Sequence, residues 1–284
     1  RALSARRQPG SAFKPIIYAA AIDRGLTPST ILVDSPVIYD DPVLQKIWKP
    51  TNYEDRFYGP ITMREALAHS RNVATVKLLE QIGISTVTEF ARRVGITSPL
   101  ANDLSLALGS SGVGLLELTS ALAVFADEGR RVEPGGLRSV TDHGGAVLAH
   151  YEPNSTVAVS RETAYVITNM LEEVIQSGTG ARARALGRPL AGKTGTTNEF
   201  ADAWFVGYAP NLAAGVWVGF DDRRSLGDRE AGASVALPIW VAFMKPALSQ
   251  LPVQAFSIPD GIVFAKVDLK TGQLAAPGEP GTVE

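Results

Sequence analysis

The sequence predicts an α+β fold in which helices pack against an antiparallel sheet. Three observations carry this expectation. Helical periodicity dominates the first two thirds of the chain, a Trp- and Val-rich hairpin pattern follows around Pro210, and a final stretch from Val235 returns to helical spacing. The composition allows it: of 284 residues, 45% are hydrophobic and 20% charged, enough for a sizeable core and unlike a disordered chain.

The elements follow in order. Ser11 to Arg24 reads as a helix that stops at Gly25. Thr62 with Glu65 has capping-box spacing and opens a short helix to about Ala68. A helix runs from Val73 to about Ile82, and Thr86 with Glu89 repeats the capping spacing and is expected to open the next. Leu115 to Asp127 is apolar at helical spacing and ends at Gly129. Ser160 caps an amphipathic stretch to Ile175, closed by Ser177-Gly178-Thr179-Gly180. Arg188 to Thr194 then reads as a strand. Ala203 to Tyr208 and Ala213 to Phe220 flank Pro210-Asn211 as a hairpin. Val235 to Leu248 is helical. The chain beyond Pro252 is Pro- and Gly-rich with one short strand, Ile262 to Val267. This divides the chain into a main domain over 1–250 and a small tail over 251–284 carrying a short hairpin.

Charge and residue usage exclude several chemistries. The net charge of −2 gives no general attraction to nucleic acid or to an anionic membrane surface. With no cysteine there is no thiol nucleophile, disulfide or cysteine-ligated metal. The three histidines, His69, His143 and His150, are scattered and form no His-Glu-x-x-His, so no zinc site is predicted. No serine sits in Gly-x-Ser-x-Gly; Gly232 to Ala236 comes nearest and reads as a helix entry. No run approaches the ~18 apolar residues of a membrane span, and the first residues lack a signal-peptide core. Any segment that exports or anchors the parent protein is therefore expected outside this chain.

Three short motifs carry chemistry. In Ser11-Ala12-Phe13-Lys14, helical spacing puts the amine and the hydroxyl on one face. A serine needs a neighbouring base, and a lysine becomes one when burial or another cation lowers its pKa. No other serine in the chain has a lysine three residues on. Ser70-Arg71-Asn72 falls between two helices, where it reads as a capped turn or as a loop that aims a hydroxyl and an amide into a cleft. Lys193-Thr194-Gly195-Thr196 ends a strand, where a cation and two hydroxyls make a carboxylate site and Gly195 admits close approach. Lys270-Thr271-Gly272 spells part of the same motif, but it lies in the tail before Gln273-Leu274 and is assigned to a turn.

Together and in this order, Ser-x-x-Lys, Ser-x-Asn and Lys-Thr-Gly resemble the motif set of penicillin-binding proteins and serine β-lactamases. The context is similar to the class A penicillin-binding proteins: Arg6-Arg7-Gln8-Pro9-Gly10, Trp48-Lys49-Pro50-Thr51-Asn52-Tyr53, Gly59-Pro60-Ile61-Thr62, Ala107-Leu108-Gly109-Ser110, Asp202 to Tyr208, and Pro238-Ile239-Trp240. The resemblance implies an antiparallel sheet flanked by helices, a second mostly helical lobe, and an active site in the cleft between them. It implies that Ser11 is the acylated nucleophile and Lys14 its base. Ser70 would relay a proton to the leaving amine, Asn72 would contact the substrate amide and Lys14, and Lys193 would supply positive charge near Ser70. Thr194 and Thr196, with Gly195 between them, would hold the substrate carboxylate, and the N–H groups of Ser11 and Thr196 would form the oxyanion hole.

The partners implied are peptidoglycan stem peptides ending in D-alanyl-D-alanine and β-lactam antibiotics, with no metal or organic cofactor. The implied place is the extracytoplasmic face of the bacterial plasma membrane, in a parent anchored there with a glycosyltransferase domain. A β-lactamase is the nearest alternative. The chain lacks a Glu-x-x-Leu-Asn segment and reads Ser-Arg-Asn in place of Ser-Asp-Asn, which favours transpeptidation. A penicillin-sensing module without turnover is the other. The family places strands and a helix before the nucleophile, where this chain has ten residues, so an exposed sheet edge is expected.

Overall fold

The computed structural model describes residues 1–41, 46–275 and 282–283. Its helices are α1 (Lys14–Asp23), α2 (Met63–Ala68), α3 (Asn72–Ile82), α4 (Ile84–Arg93), α5 (Leu115–Ala126), α6 (Arg161–Gln176) and α7 (Ala236–Ser249). Five strands matter for the site. β1 (Ile31–Asp34) pairs antiparallel with β2 (Gly59–Thr62), and β3 (Ala191–Thr196), β4 (Asp202–Ala209) and β5 (Leu212–Gly219) form an antiparallel sheet in that order. The α+β expectation is met.

β4 is buried along its whole length because both faces of the sheet are covered. Trp204, Val206 and Tyr208 face the larger core, which contains α1, α5 and α6. Ala203, Phe205 and Ala209 face α7, where the Phe205 and Trp240 rings meet at 4.9 Å. β5 is half-buried and, among the described residues, pairs only with β4.

α1 runs through the middle of the molecule. Ile16, Ile17, Tyr18, Ala19 and Ala21 are fully buried, so the helix is apolar on every side, as an interior helix must be. Burying each isoleucine contributes about 1.5–3 kcal/mol. The Tyr18 hydroxyl is satisfied by Thr75 Oγ1 at 3.1 Å, joining α1 to α3. α6 lies against α1, α2 and β3, and its Thr168 hydroxyl meets the Tyr208 hydroxyl at 3.0 Å.

Most expected elements stand where their caps and breakers put them. Thr62 Oγ1 accepts from the Glu65 N–H at 3.2 Å, and Ser160 Oγ from the Thr163 N–H at 3.1 Å. Three expectations are corrected. The Thr86 cap does not form: Gly83, at φ +86°, ends α3 and begins α4 at once, which leaves Thr86 inside the helix. The strand expected over residues 188–194 runs instead from Ala191 to Thr196, where pairing with Tyr208 to Ala203 begins and ends; the Arg188 guanidinium bonds the backbone of Leu248 and Pro252. In the tail, the strands among the described residues are Val267–Asp268 and Thr282–Val283, paired with each other; Val263 and Phe264 are exposed and lie outside them. Part of the predicted tail, residues 276–281 and 284, lies outside the described residues. Several short antiparallel pairs went unpredicted, among them Arg130–Val132 with Ser155–Val157 and Ser139–Thr141 with Val147–His150. These two are largely exposed, so their side chains show no alternation of polar and apolar.

Candidate active site

The three motifs meet in one place. Ser11 lies in a 3₁₀ turn, Gly10–Phe13, immediately ahead of α1. The turn is pressed against β3. Gly10 has φ +54°, and a Cβ there would stand 2.3 Å from the Thr196 carbonyl oxygen. A Cβ on Gly195 would stand 2.2 Å from the Pro9 carbonyl oxygen, so backbone meets backbone with no side chain between. Among the described residues the Ser11 hydroxyl has no hydrogen-bond partner, and the residue is part-exposed.

One turn on, Lys14 is fully buried. Its Nζ donates to the Ser70 carbonyl at 2.7 Å and to Asn72 Oδ1 at 2.8 Å, and lies 3.4 Å from Ser70 Oγ. Lys193, also fully buried, donates from Nζ to Ser70 Oγ at 2.9 Å and to the Thr194 carbonyl at 3.2 Å. The Ser70 hydroxyl thus sits between two buried amines. Burial, and then the positive charges of Lys193 and Arg71, hold the Lys14 pKa well below the ordinary lysine value. Burial brings Lys193 down to about 7. A neutral Lys14 amine has two N–H donors, which match Ser70 O and Asn72 Oδ1, and one lone pair free to take a proton.

Ser70 does not cap a helix. It follows α2 at φ +58°, a left-handed conformation that a residue with a side chain adopts at a cost of roughly 1–2 kcal/mol. The Arg71 N–H to Ala66 O bond at 2.8 Å and the Lys14 bond to the Ser70 carbonyl hold it there. The result aims the hydroxyl at the lysines. Arg71 is anchored by Glu54 at 3.0 Å and lies 3.5 Å above the Tyr58 ring.

On the β3 side, Thr194 Oγ1 meets Thr179 Oγ1 at 2.7 Å, and Thr196 Oγ1 accepts from the Gly232 N–H at 3.0 Å. Thr179 was read from sequence only as part of a helix stop. Its loop packs tightly: Thr179 N–H donates to Ala68 O at 3.2 Å, and a Cβ on Gly178 would stand 2.1 Å from that oxygen. Small residues on both sides of a threonine were the available signal. Asn52, Asp34 and Thr51 were also missed as site residues, and only their contacts with the Ser70–Asn72 loop reveal them.

The second Lys-Thr-Gly is elsewhere. Asp268 Oδ1 accepts from the N–H groups of Lys270 and Thr271, at 2.9 and 2.7 Å, and from the Thr271 hydroxyl; the Lys270 side chain is exposed. The histidines do not enter the site: His143 and His150 are exposed in the 130–157 excursion, and Lys14 and Lys193, not His69, contact the Ser70 hydroxyl.

A free serine hydroxyl one turn from a buried amine of low basicity, with a second serine wired to two such amines, is a constellation suited to serine acyl transfer without histidine. The penicillin binding protein transpeptidase domain family matches residues 1–245. Penicillin-binding protein 1A of Pseudomonas aeruginosa is 38% identical over 333 aligned positions, covering 99% of this chain and 40% of the relative. The crystal structure of penicillin-binding protein 1A from Haemophilus influenzae superposes with a TM-score of 0.94 at 34% identity, over 98% of this chain and 47% of that one. The PonA1 protein of Mycobacterium tuberculosis, solved in complex with penicillin V, superposes at 0.80 with 25% identity, over 97% of this chain and 76% of that one. The chain belongs to the penicillin-binding protein transpeptidase domain family. It spans well under half the length of the Pseudomonas relative.

Proposed function

We propose that this chain cross-links peptidoglycan by D,D-transpeptidation, with Ser11 as the acylated residue. The observation that carries the reading is the Ser70 hydroxyl held at 2.9 Å from the Lys193 amine and 3.4 Å from that of Lys14, which itself follows Ser11 by one turn. Lys14 takes the proton of Ser11 as Oγ attacks the carbonyl of the penultimate D-alanine. The N–H groups of Ser11 and Thr196 receive the developing oxyanion. As the carbon–nitrogen bond breaks, the proton passes through Ser70 to the departing D-alanine amine. The acyl-enzyme ester is then attacked by an amine of a neighbouring stem, which restores the Ser11 hydroxyl. Lys193, Thr194 and Thr196, on either side of Gly195, hold the terminal carboxylate, with Thr179 orienting the Thr194 hydroxyl.

Two carboxylates bear on Lys14, and both are occupied: Asp34 by Asn52 and the Tyr58 N–H, and Glu54 by Arg71. Neither is free to activate water, which supports transfer to an amine over hydrolysis. Residues 1–250 form the catalytic domain and 251–284 an appendage. The parent protein is anchored at the extracytoplasmic face of the plasma membrane and carries a glycosyltransferase domain. Among the described residues no helix is long and apolar enough to cross a membrane.

The test is intact mass measured over time after adding benzylpenicillin, with the adduct mapped and loading repeated with a stem peptide and an acceptor amine. A lasting adduct on Ser11 and a cross-linked product are expected. An adduct that disappears as the drug is hydrolysed would make the protein a β-lactamase, and a lasting adduct without peptide transfer a sensor. The two Lys-Thr-Gly copies give a control. Lys193→Ala is expected to slow loading ~100-fold, and Lys270→Ala to leave it unchanged within about twofold. A loading rate that follows Lys270 would move the carboxylate site to the tail.

A further inference from the structure

Helix α3 begins without a cap of its own. Arg71 holds the N-cap position and makes no side-chain hydrogen bond to the helix. The first amides of a helix need acceptors from elsewhere, and here one comes from a distant loop. Asn52 Oδ1 accepts from the Asn72 N–H at 2.8 Å and from the Val73 N–H at 3.3 Å. Asn52 is itself buried. Its Nδ2 donates to both oxygens of the Asp34 carboxylate, at 3.0 and 2.8 Å, and to the Arg56 carbonyl at 2.8 Å. Asp34, fully buried on β1, also accepts from the Tyr58 N–H at 3.0 Å. One residue before Asn52, the Thr51 carbonyl takes the Asn72 Nδ2–H at 3.0 Å, which leaves Asn72 Oδ1 facing Lys14 Nζ.

A buried carboxylate whose partners are all amides is costly to desolvate. An apolar contact would fasten the loop at less cost but could not orient a carboxamide. We infer that Asn52, gripped by Asp34, is a positioning residue for acylation: it sets the backbone at Asn72 so that the Asn72 carboxamide presents its oxygen to Lys14. This rests on the roles given above to Ser11 and Lys14.

The two partners act differently. The charged groups bearing on Lys14 are Lys193 and Arg71, which lower its proton affinity, and Asp34 and Glu54, which raise it. Asp34→Asn removes a charge but keeps an acceptor for Asn52. Lys14 then loses its proton at a lower pH, so the acid limb of the acylation profile moves down in pH. Asn52→Ala keeps the charge and loses the geometry. Its rate falls ~100-fold, the scale of a roughly 1 Å misplacement, and its acid limb stays in place.

The experiment is the pH profile of benzylpenicillin acylation at Ser11 for the unmodified protein and these two variants. An unmodified protein that is not loaded at Ser11 removes the underlying reading. If it is loaded, and folded Asn52→Ala is loaded within about threefold of it, the positioning role alone is overturned. A limb that shifts in Asn52→Ala as far as in Asp34→Asn overturns it too. Should Asn52→Ala fail to fold, the exchange of the pair decides. Asn52→Asp sets two carboxylates face to face and is expected to be slow; adding Asp34→Asn restores one amide and one carboxylate with places swapped. Recovery of at least about tenfold in the double variant supports the role, and its absence in a folded double variant overturns it.

Discussion

Replacing Ser11 by alanine is expected to abolish covalent loading by benzylpenicillin, a loss of at least ~10⁴-fold, without disturbing the fold. The structure separates the two effects. The Ser11 hydroxyl has no hydrogen-bond partner among the described residues, and the turn that carries it is fastened by its neighbours: Ala12 N–H bonds to the Pro9 carbonyl at 3.1 Å, and Gly10 abuts β3. Removing one unpaired oxygen therefore costs less than about 0.5 kcal/mol, within the range of surface substitutions. Intact mass after prolonged exposure and a thermal melt measure both. A folded Ser11→Ala protein that still gains one drug mass would place the nucleophile elsewhere, and Ser70, with its hydroxyl already bonded to Lys193, would be the first residue to map.

Lys14→Met gives the second large effect. Methionine fills a similar volume, so Ser11 keeps its place but loses the proposed base, and loading should slow by ~10²–10⁴-fold. The same substitution changes how stability depends on pH. The Lys14 pKa in the folded protein lies below its unfolded value of about 10.5. Between those two values the unfolded chain binds more protons than the folded one, so stability rises with pH across that window. Lys193 contributes in the same sense between about 7 and 10.5. The unmodified protein should gain stability from neutral to alkaline pH, and Lys14→Met should gain less. Chemical denaturation at several pH values reads the difference. An identical slope in both proteins would mean that Lys14 titrates as an ordinary lysine and cannot serve as the base.

What could be read from the chain divides along physical lines. Helices announced themselves through local signals: Ser160, Thr62, Gly25 and Gly129 are each cap or breaker within a few residues of the element they bound. The hairpin of β4 and β5 was equally local. The pairing of β1 with β2 was not, because it joins Ile31 to Thr62, with no short turn to mark it. The site shows the same division. Ser11 and Lys14 share a helix face by spacing alone, whereas Ser70, Asn72 and Lys193 were assembled by resemblance to known motifs, and the structure brings the three together with Lys14. Asn52 and Asp34 carry no motif of their own. Their part emerges only when a loop, a strand and a helix start converge, and a single sequence does not encode that convergence in any short window.

The contact of the Ser11 turn with β3 also bears on how this protein can change over generations. A Cβ added at Gly10, Gly109 or Gly195 would fall 2.1–2.3 Å from a backbone oxygen, and no flexible side chain is there to yield. A side chain at any of these positions would force the backbone of the Ser11 turn out of its place. Variation beside the turn has room instead at exposed side chains such as Tyr53, which is 66% exposed and meets Phe200 edge to face.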